Sequence, residues 1–401
     1  RNIAEQYDFG VYAIIVDDYL EYAAKMLKKA EKPLFLAGGG VNIAGANENF
    51  TKIVDITKIP VVTTIMGRGA IPTDHPMYIG NLGMHGMYAA NMAVGECDLL
   101  FSIGTRFNDR ITGKLHEFAP NAQIVHIDID TGSISRNVHV DVPIVADAKE
   151  ATEKILEYVE ENEQLEWLAK IEEWKQEHPL TMKNQVKLTP QKIIDTINET
   201  FDEAIVVTDV GQHQMFATQY LALNEKKQLL TSGGLGTMGY GFPGAIGAKL
   251  GNPDTPVIMT SGDGGMQMNI QEFATAVLQE LPVILCVFNN TYLGMVRQWQ
   301  KLFYGKRYSM TCLRSGKACE GKCGTERCEC PPYTPDFVKL AESYGAKGLR
   351  VFKPEDVKAA FEEARQNTKT PTLIEFIIDP EDLVYPMVKP GGTLEELIMD
   401  C

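Results

Sequence analysis

The sequence lacks any apolar run long enough to cross a membrane, and its first residues do not join a basic region to an apolar signal core. Basic residues are also scarce, with 38 Lys and Arg against 53 Asp and Glu and a formal net charge of −15. This balance argues against a general surface for nucleic acid or anionic membranes, although it leaves room for a local basic phosphate pocket. The sequence therefore predicts a cytoplasmic protein that binds neither nucleic acid nor membrane.

Cysteine is too scarce for a disulfide-based fold, with eight in 401 residues, and a cytosolic protein would keep them reduced. Five of the eight lie in one segment, residues 310–334. Their spacing, C-x6-C-x3-C-x4-C-x-C, does not match the C-x2-C pairs of common zinc or iron-sulfur sites. We expect an exposed, reduced insertion, with metal binding as the less favoured alternative. The five residues are Cys312, Cys319, Cys323, Cys328 and Cys330.

Alternating apolar strands and helical stretches predict an α/β fold with two doubly wound parallel-sheet domains joined by a helical linker. Continuous apolar strands of this kind suit a parallel sheet that is covered on both faces. We assign residues 19–150 to the first domain, 151–188 to the linker and 189–401 to the second domain, and leave 1–18 unassigned. The predicted strands are 33–36, 60–63, 99–103, 123–127 and 143–145 in the first domain, and 204–208, 228–231, 257–260, 282–288 and 372–378 in the second.

The most informative motif is the turn at residues 261–265, Ser-Gly-Asp-Gly-Gly, which follows an apolar strand and is answered by Asn290 after the next strand. A lone Gly-Asp-Gly is a common turn. An aspartate and an asparagine at neighbouring strand ends can share one divalent cation, while glycines let backbone N–H groups approach a diphosphate. The interval from Asp263 to Asn290 has room for a helix and a strand. The pair therefore predicts an anchor for a magnesium-bound diphosphate.

At these residues the chain resembles the thiamine-diphosphate (ThDP) enzymes, and further motifs narrow the resemblance to the catalytic subunit of acetohydroxyacid synthase (acetolactate synthase). The similarity extends from about residue 32 to the end of the sequence. The segments that carry it are Leu82-Gly83-Met84-His85-Gly86, Arg106-Phe107-Asn108-Asp109-Arg110-Ile111-Thr112-Gly113, Gly233-Gly234-Leu235-Gly236-Thr237-Met238-Gly239-Tyr240-Gly241, Met268-Asn269-Ile270-Gln271-Glu272 and Gly294-Met295-Val296-Arg297-Gln298-Trp299-Gln300.

The resemblance implies a ThDP-dependent transferase that condenses pyruvate with a second 2-ketoacid, pyruvate or 2-ketobutyrate, with loss of CO₂. The products would be 2-acetolactate or 2-aceto-2-hydroxybutyrate, in branched-chain amino acid biosynthesis. The resemblance also implies a homodimer or homotetramer and a regulatory small subunit. Two alternatives stay open: another flavin-containing ThDP enzyme, of the glyoxylate carboligase or pyruvate oxidase type, and a noncatalytic cofactor-binding fragment.

In the second domain, the resemblance assigns the Mg²⁺ to the side chains of Asp263 and Asn290 and to the backbone carbonyl of Tyr292. It places Met238 under the cofactor and makes Trp299 a wall of the acceptor pocket that favours 2-ketobutyrate. It implies that Met238, Met295 and Trp299 form the catalytic set. The ThDP-binding residues would be Gly211, Gln212, His213, Gly236, Met238, Gly262, Asp263, Gly264, Gly265, Asn290, Tyr292, Leu293, Gly294 and Met295.

In the first domain, glycines 38 to 40 follow a strand and open a helix, a pattern that indicates nucleotide phosphate binding but is not a full GxGxxG fingerprint. The resemblance implies FAD without net redox chemistry there, and a flavin-free structural spacer is the alternative. The FAD-binding residues would be Gly39, Met66, His85, Gly86, Gly104, Arg106, Asp128, Ile129 and Asp147.

The family activates ThDP with a glutamate from an N-terminal pyrimidine-binding domain, which residues 1–18 do not resemble. We therefore expect this chain to need such a domain, and to be inactive or weakly active when isolated. A truncated gene, a separate polypeptide that carries the domain, and an incomplete product are the alternatives. Because the cofactor in this family lies between domains of two subunits, a separate polypeptide is physically feasible.

Overall fold

The computed structural model describes residues 9–183, 186–313 and 334–400, with side chains from residue 17 onward. The chain divides into two compact units, Arg1–Leu180 with Tyr385–Cys401, and Thr181–Val384. In this division, residues 151–180 of the predicted linker and 385–401 of the predicted second domain fall in the first unit, and residues 181–188 of the linker fall in the second. None of the helices in the described ranges is long and apolar enough to cross a membrane.

The first unit is built on a six-stranded parallel sheet in the order β3-β2-β1-β4-β5-β6. All five predicted strands are present, and β3 is an additional edge strand. Its elements are α1 (Phe9–Lys29), β1 (Pro33–Ala37), α2 (Gly39–Ala44), α3 (Asn47–Thr57), β2 (Val61–Thr63), β3 (Tyr78–Asn81), α4 (Tyr88–Glu96), β4 (Leu99–Ile103), α5 (Asp109–Thr112), β5 (Gln123–Asp128), β6 (Val142–Val145), α6 (Ala148–Ile155) and α7 (Leu165–Glu177).

Helices cover both faces of this sheet. Along β1, Phe35 and Ala37 enter one core, while Leu34 and Leu36 enter the core on the opposite face. Because successive strand side chains point to opposite faces, a strand that is covered on both sides reads as a continuous apolar run. This is why the predicted strands were recognisable.

The predicted linker includes an amphipathic helix, α7, that packs onto the first unit. Trp167, Ile171 and Trp174 of α7 are buried, at a spacing that places them on one helix face. Trp167 Nε1 also donates a hydrogen bond to the carbonyl of Pro33 at 3.1 Å. Since an indole N–H usually finds a partner when it is buried, this contact fixes α7 beside β1.

The second unit has its own six-stranded parallel sheet, in the order β11-β12-β10-β9-β7-β8. The predicted helix start is present, since Thr189 Oγ1 accepts a hydrogen bond from the backbone N–H of Lys192 at 3.2 Å. The elements are α8 (Pro190–Thr200), β7 (Ala204–Thr208), α9 (Gln212–Tyr220), β8 (Lys227–Thr231), α10 (Gly241–Gly251), β9 (Val257–Gly262), α11 (Asp263–Met266), α12 (Glu272–Leu278), β10 (Val283–Asn289), α13 (Gly294–Phe303), α14 (Phe337–Ser343), β11 (Lys347–Val351), α15 (Val357–Gln366) and β12 (Thr372–Ile377).

The prediction of two doubly wound parallel sheets is thus confirmed. The chain reverses its direction of travel between β1 and β4 in the first sheet and between β7 and β9 in the second, where it also turns back from the edge strand β11 to β12. Open α/β sheets bind ligands outside the carboxyl ends of the strands at such switch points. The last strands, β13 (Met387–Val388) and β14 (Leu397–Ile398), pair with each other and belong to the first unit.

Candidate cofactor and metal site

Asp263 follows β9 at the switch point of the second sheet and is 2% exposed. Its Oδ1 accepts the backbone N–H of Gly264 at 2.9 Å, and its Oδ2 accepts that of Thr291 at 2.6 Å. Burial raises the pKa of this carboxyl to about 7. It makes no ion pair with any residue that the structure describes. A buried carboxylate is costly without a cationic partner, so its surroundings suit a metal ion.

Asn290 lies 7% exposed at the end of β10. Its Oδ1 accepts the backbone N–H of Tyr292 at 3.0 Å. Thr291, between them, has φ of 63° and presents its own N–H to Asp263. One tight turn therefore places Asn290 and Tyr292 next to the Asp263 carboxylate.

The backbone of Tyr292 is oriented by a return segment. Leu293 donates its N–H to Thr311 O and Leu313 donates to Thr291 O, both at 2.8 Å, so that Tyr292 lies opposite Cys312 in an antiparallel bridge. In a bridge of this pattern the N–H and C=O of the paired residue point away from the partner segment. The Tyr292 carbonyl is thus directed to the side on which its N–H meets Asn290.

A chain of amides connects this turn to the residues after β7. Asn290 Nδ2 donates to Gln212 Oε1 at 3.2 Å, and Gln212 Nε2 donates to Gln298 Oε1 at 2.9 Å. Gln298 is fully buried and also bonds both backbone groups of Val384, each at 2.9 Å. Gly294 is necessary here, because a Cβ on it would lie 2.0 Å from Gln212 Oε1.

His213 lies beside the same turns and is 5% exposed. Burial lowers its pKa to about 4, so the imidazole is neutral near pH 7. Its Nε2 has no hydrogen-bond partner among the described residues. Gly211 and Gly262 make room for the ring, since a Cβ on either would come within 3.2 Å of a ring atom. An unpaired, buried ring nitrogen of this kind is suited to meeting a ligand.

The loop that carries Met238 is held by Asp209, a buried residue that the sequence reasoning did not assign. Its carboxylate accepts the backbone N–H groups of Gly239 at 3.1 Å and Gly241 at 2.8 Å. The Met238 methyl group comes within 3.9 Å of the position that a Cβ on Gly264 would occupy. The structure therefore brings Met238 close to the Asp263 turn, and its predicted place under the cofactor stays a prediction. Gly236, in contrast, is exposed, with nothing within 4 Å of its Cβ position.

Met295 and Trp299 lie one turn apart on α13, both half-buried, and the Trp299 ring meets Phe303 edge-on at 5.7 Å. Leu293 immediately precedes this helix, and its Cδ2 would lie 2.7 Å from a Cβ on Gly264. Leu293 thus borders the Asp263 turn directly.

In the first unit, predicted FAD residues gather at the switch point between β1 and β4. A Cβ on Gly38 would lie 2.1 Å from the carbonyl oxygen of Gly104, and one on Gly39 would lie 3.0 Å from Met66 Cβ. The glycines at 38, 40 and 104 are therefore required for close backbone packing. They also leave the β1–α2 turn without side chains, as a dinucleotide phosphate requires.

The remaining predicted FAD residues lie along the same sheet edge. Burial tends to raise the pKa of Asp128, but contacts with His126, the Asp130 N–H and the charge of Arg106 together lower it below its usual value. Asp147 caps α6, because its side chain accepts two backbone N–H groups. This structural role would explain an aspartate at this position without any contact to FAD. Arg106 and Ile129 are exposed.

His85 and Gly86 belong to a turn that buried Asn91 holds. Asn91 Oδ1 accepts the N–H of Gly83 at 2.9 Å, and its Nδ2 donates to the carbonyl of Gly83 at 3.0 Å. A Cβ on Gly86 would come within 2.6 Å of the Asn91 oxygen. The turn is therefore rigid and requires glycine at residue 86.

Of the clustered cysteines, the structure describes Cys312, which is half-buried opposite Tyr292. Cys319, Cys323, Cys328 and Cys330 lie outside the described residues, so the predicted exposed insertion stays a prediction. Among described residues, no three His, Cys, Asp or Glu side chains gather as a metal cluster. The proposed magnesium ligands are not such a cluster, because only the Asp263 carboxylate is one of these side chains. The other two ligands are an amide oxygen and a backbone carbonyl.

Comparison with known proteins identifies the family. Residues 209–376 match the thiamine pyrophosphate enzyme C-terminal TPP binding domain, and residues 20–155 match the thiamine pyrophosphate enzyme central domain. The chain belongs to the thiamine pyrophosphate enzyme family. The predicted resemblance to acetolactate synthase is confirmed by the relatives of this chain. The chain is 43% identical over 390 residues to a probable acetolactate synthase large subunit of Methanocaldococcus jannaschii. It is 39% identical over 389 residues to acetolactate synthase isozyme 3 large subunit of Escherichia coli K12.

These alignments cover 94% of the chain in both cases, but 63% of the first relative and 65% of the second. A relative from Cyanidium caldarium, an acetolactate synthase large subunit, is 41% identical with the same 63% coverage of its length. The chain thus spans less than two thirds of the relatives it matches. It corresponds to the central and C-terminal domains of the family.

Proposed function

We propose that the second unit binds the diphosphate of ThDP through Mg²⁺, with Asp263, Asn290 and the Tyr292 carbonyl as protein ligands. The observation that carries this proposal is the Thr291 turn, which brings all three to one place. Mg²⁺ prefers oxygen ligands in an octahedron that diphosphate oxygens and water can complete. The buried Asp263 carboxylate, without a cation among the described residues, supports the same assignment.

We propose roles for the other residues of the site from their burial and from the analogy with the family. His213 offers its unpaired Nε2 to the bound group, and Met238 supports the cofactor next to the Asp263 turn. By analogy with the family, Trp299 would form a wall of the acceptor pocket for 2-ketoacids, and Met295 would contact the cofactor. When bound, ThDP supplies the nucleophilic carbon that the reaction requires, while the protein binds, orients and excludes water.

For the first unit, we propose a FAD site at the switch point of the sheet. The strand order β3-β2-β1-β4-β5-β6 is that of dinucleotide-binding folds. The glycine-lined turn after β1 would approach the diphosphate, and Arg106 would neutralise its charge. Asp128 would accept hydrogen bonds from hydroxyl groups. By analogy with the family, the flavin would undergo no net redox change.

The activity proposed for the protein that contains these units is acetolactate synthase. It would join pyruvate to a second 2-ketoacid with loss of CO₂, in branched-chain amino acid biosynthesis. Two relatives are named large subunits of this enzyme, which supports a regulatory small subunit as partner. A homodimer or homotetramer is proposed on the same analogy.

The test is cofactor binding by an isosteric variant. Asp263→Asn keeps the shape of the side chain but removes the charge that binds the cation, so it should abolish Mg²⁺-dependent ThDP binding followed by tryptophan fluorescence. Asp254→Asn is the matched control, because Asp254 is exposed in the turn that precedes β9, three residues before the strand begins. It should bind as the parent does. Equal ThDP affinity in Asp263→Asn and the parent would contradict the metal assignment.

A further inference from the structure

Arg297 is a buried charge that none of the proposed roles uses. It lies on α13, and its side chain is 1% exposed. Its guanidinium lies between two aromatic rings, with the centres of the Tyr292 and Tyr308 rings each 4.8 Å away. Such an enclosed position is unusual, because arginine is rarely fully buried unless it is paired.

The polar end of the same guanidinium is bound to the segment after β12. It donates to the carbonyl of Pro380 at 2.8 Å and forms an ion pair with Glu381. Arg297 is buried but Glu381 is 50% exposed, so solvent screens this ion pair and it adds little stability by itself. Losing one partner is nevertheless costly, so this pair is better suited to fixing geometry than to stabilising the fold.

Arg297 therefore joins three segments of the second unit. One is the turn that carries Tyr292, the second is the stretch between α13 and the return segment, which contains Tyr308, and the third contains Glu381. The planar guanidinium can stack on rings and donate several hydrogen bonds at once, whereas an ammonium cannot do both with the same geometry. The arrangement uses both properties.

The Tyr292 turn needs such support. Thr291 is in the left-handed region, with φ of 63°, a conformation that costs about 1 kcal/mol for a residue with a side chain. The turn's own hydrogen bonds fix Thr291 and the N–H of Tyr292. The bridge to Cys312 orients the backbone of Tyr292, and the Arg297 guanidinium contacts its ring, so both the backbone and the side chain of the residue that carries the carbonyl are restrained.

We propose that Arg297 is a positioning residue that holds the Tyr292 carbonyl where the cation requires it. The inference rests on the proposed ThDP and Mg²⁺ site and adds a residue to it. Arg297 does not contact the cation in this account. It acts through the Tyr292 ring, and its loss should weaken Mg²⁺ binding without removing any ligand.

The test compares Arg297→Met, Arg297→Lys and Lys301→Met in the 401-residue chain. Lys301 is the matched control, because its ammonium bonds the same Glu381, at 2.8 Å, while the described cation–ring contacts of Tyr292 involve Arg297. At fixed ThDP, the Mg²⁺ concentration for half-maximal binding is measured by fluorescence. The melting temperature without Mg²⁺ is measured in parallel.

Arg297→Met should raise the half-saturating Mg²⁺ concentration tenfold or more, and Arg297→Lys three- to tenfold, because an ammonium keeps the attraction to the rings but not the planar fork. Lys301→Met should change it less than twofold. A lower melting temperature with unchanged Mg²⁺ dependence would overturn the proposal, since a purely structural role predicts that result. If Arg297→Met does not fold, parent-like Mg²⁺ dependence in Arg297→Lys overturns it.

If the proposed ThDP and Mg²⁺ site is itself wrong, the binding measurements give a different set of results. If the parent shows no Mg²⁺-dependent ThDP binding, the proposed metal site is wrong and this inference falls with it. If the parent binds and Asp263→Asn does not, while Arg297→Met binds as tightly as the parent, the site stands and the positioning role is wrong.

Discussion

The carboxylate of Asp263 accepts the backbone N–H of Thr291 at 2.6 Å, joining the turns that follow β9 and β10. Thr291 also donates to Asn289 Oδ1 at 3.0 Å, and Asn289 Nδ2 in turn donates to the buried Glu375 at 2.7 Å. The N–H of Thr291 thus has two acceptors, and these hydrogen bonds offset the free-energy cost of its left-handed conformation. In our proposal the same carboxylate binds the cation, so one side chain both shapes the turn and provides a ligand.

This relationship predicts opposite outcomes for two substitutions of Thr291. Glycine adopts positive φ without steric cost and keeps the N–H, so Thr291→Gly should retain the fold and Mg²⁺-dependent ThDP binding. Thr291→Pro fixes φ at about −65° and removes the donor, so it should abolish binding. Melting curves and ThDP titrations check both. Binding by the proline variant at the parent's affinity would show that the turn is not needed.

The glycines around Asp263 predict a graded series of stabilities. A Cβ on Gly265 would lie 2.4 Å from Asp209 Oδ1, an atom that backbone N–H groups hold in place, whereas one on Gly264 would meet the flexible end of Leu293 at 2.7 Å. Gly265→Ala should therefore lower the free energy of unfolding by about 2–3 kcal/mol and Gly264→Ala by about 1 kcal/mol.

Gly247 provides the control for this series. It lies on α10, exposed, with nothing within 4 Å of its Cβ position. Gly247→Ala should raise the free energy of unfolding by about 0.5–1 kcal/mol, because alanine favours the helix. Denaturant unfolding of the three variants gives the ranking. Equal losses at residues 264 and 265 would mean that Asp209 moves as readily as Leu293.

Sequence alone predicted the central strands and the Asp263–Asn290 pair because both depend on local pattern. Fully buried strands are continuous apolar runs, and the ends of parallel strands share one edge of the sheet. The missed strands, β3 and β11, are at sheet edges, but so are β6 and β8, which were predicted, so edge position alone does not explain the misses. β3 has four residues and ends in Gly80 and Asn81, so it contains no continuous apolar run. Residues 347–350 of β11 are partly or fully exposed, so they lack that apolar signal.

The supporting residues of the site were missed for a different reason. Arg297 meets Pro380 and Glu381 from more than 80 positions away, and Asn289 meets Glu375 over a similar separation. Such contacts depend on how strands are ordered in the sheet, which local periodicity does not encode. Asp209 had a detectable signal, since it follows β7 as Asp263 follows β9.

The acidic segment after β12 predicts a pH-dependent gain of stability in Asp382→Asn. Burial, then the nearby Asp379 carboxylate, raises the pKa of Asp382 from 3.8 to about 7. The protonated form therefore favours folding, and its contribution, complete below pH 3.8, is lost as the pH rises to about 7. The amide that replaces this carboxyl is neutral at every pH. The variant's advantage in free energy of unfolding should grow from pH 4.5 to pH 8 by on the order of 1–2 kcal/mol.

Asp379 is the control for this experiment, with the opposite sign. Burial tends to raise the pKa of its carboxyl, but an ion pair with Lys187 at 2.7 Å contributes to a net lowering below the usual value. Asp379→Asn removes a favourable anion and should not stabilise the protein at either pH. A gain for Asp382→Asn that is the same at pH 4.5 and pH 8 would show that Asp382 does not titrate in this range.

The last prediction concerns the first unit. If FAD lies at the switch point between β1 and β4, exposed Arg106 is positioned after β4 to pair with its diphosphate, and an arginine–phosphate pair is among the stronger polar contacts. Arg106→Gln should lower FAD affinity at least tenfold in a flavin fluorescence titration. Lys52→Gln, a surface change on α3 of the same unit, should not. The bound flavin should stay oxidised when pyruvate is added without oxygen. Parent-like affinity in Arg106→Gln would contradict the arginine's role, and bleaching by pyruvate would contradict a nonredox flavin.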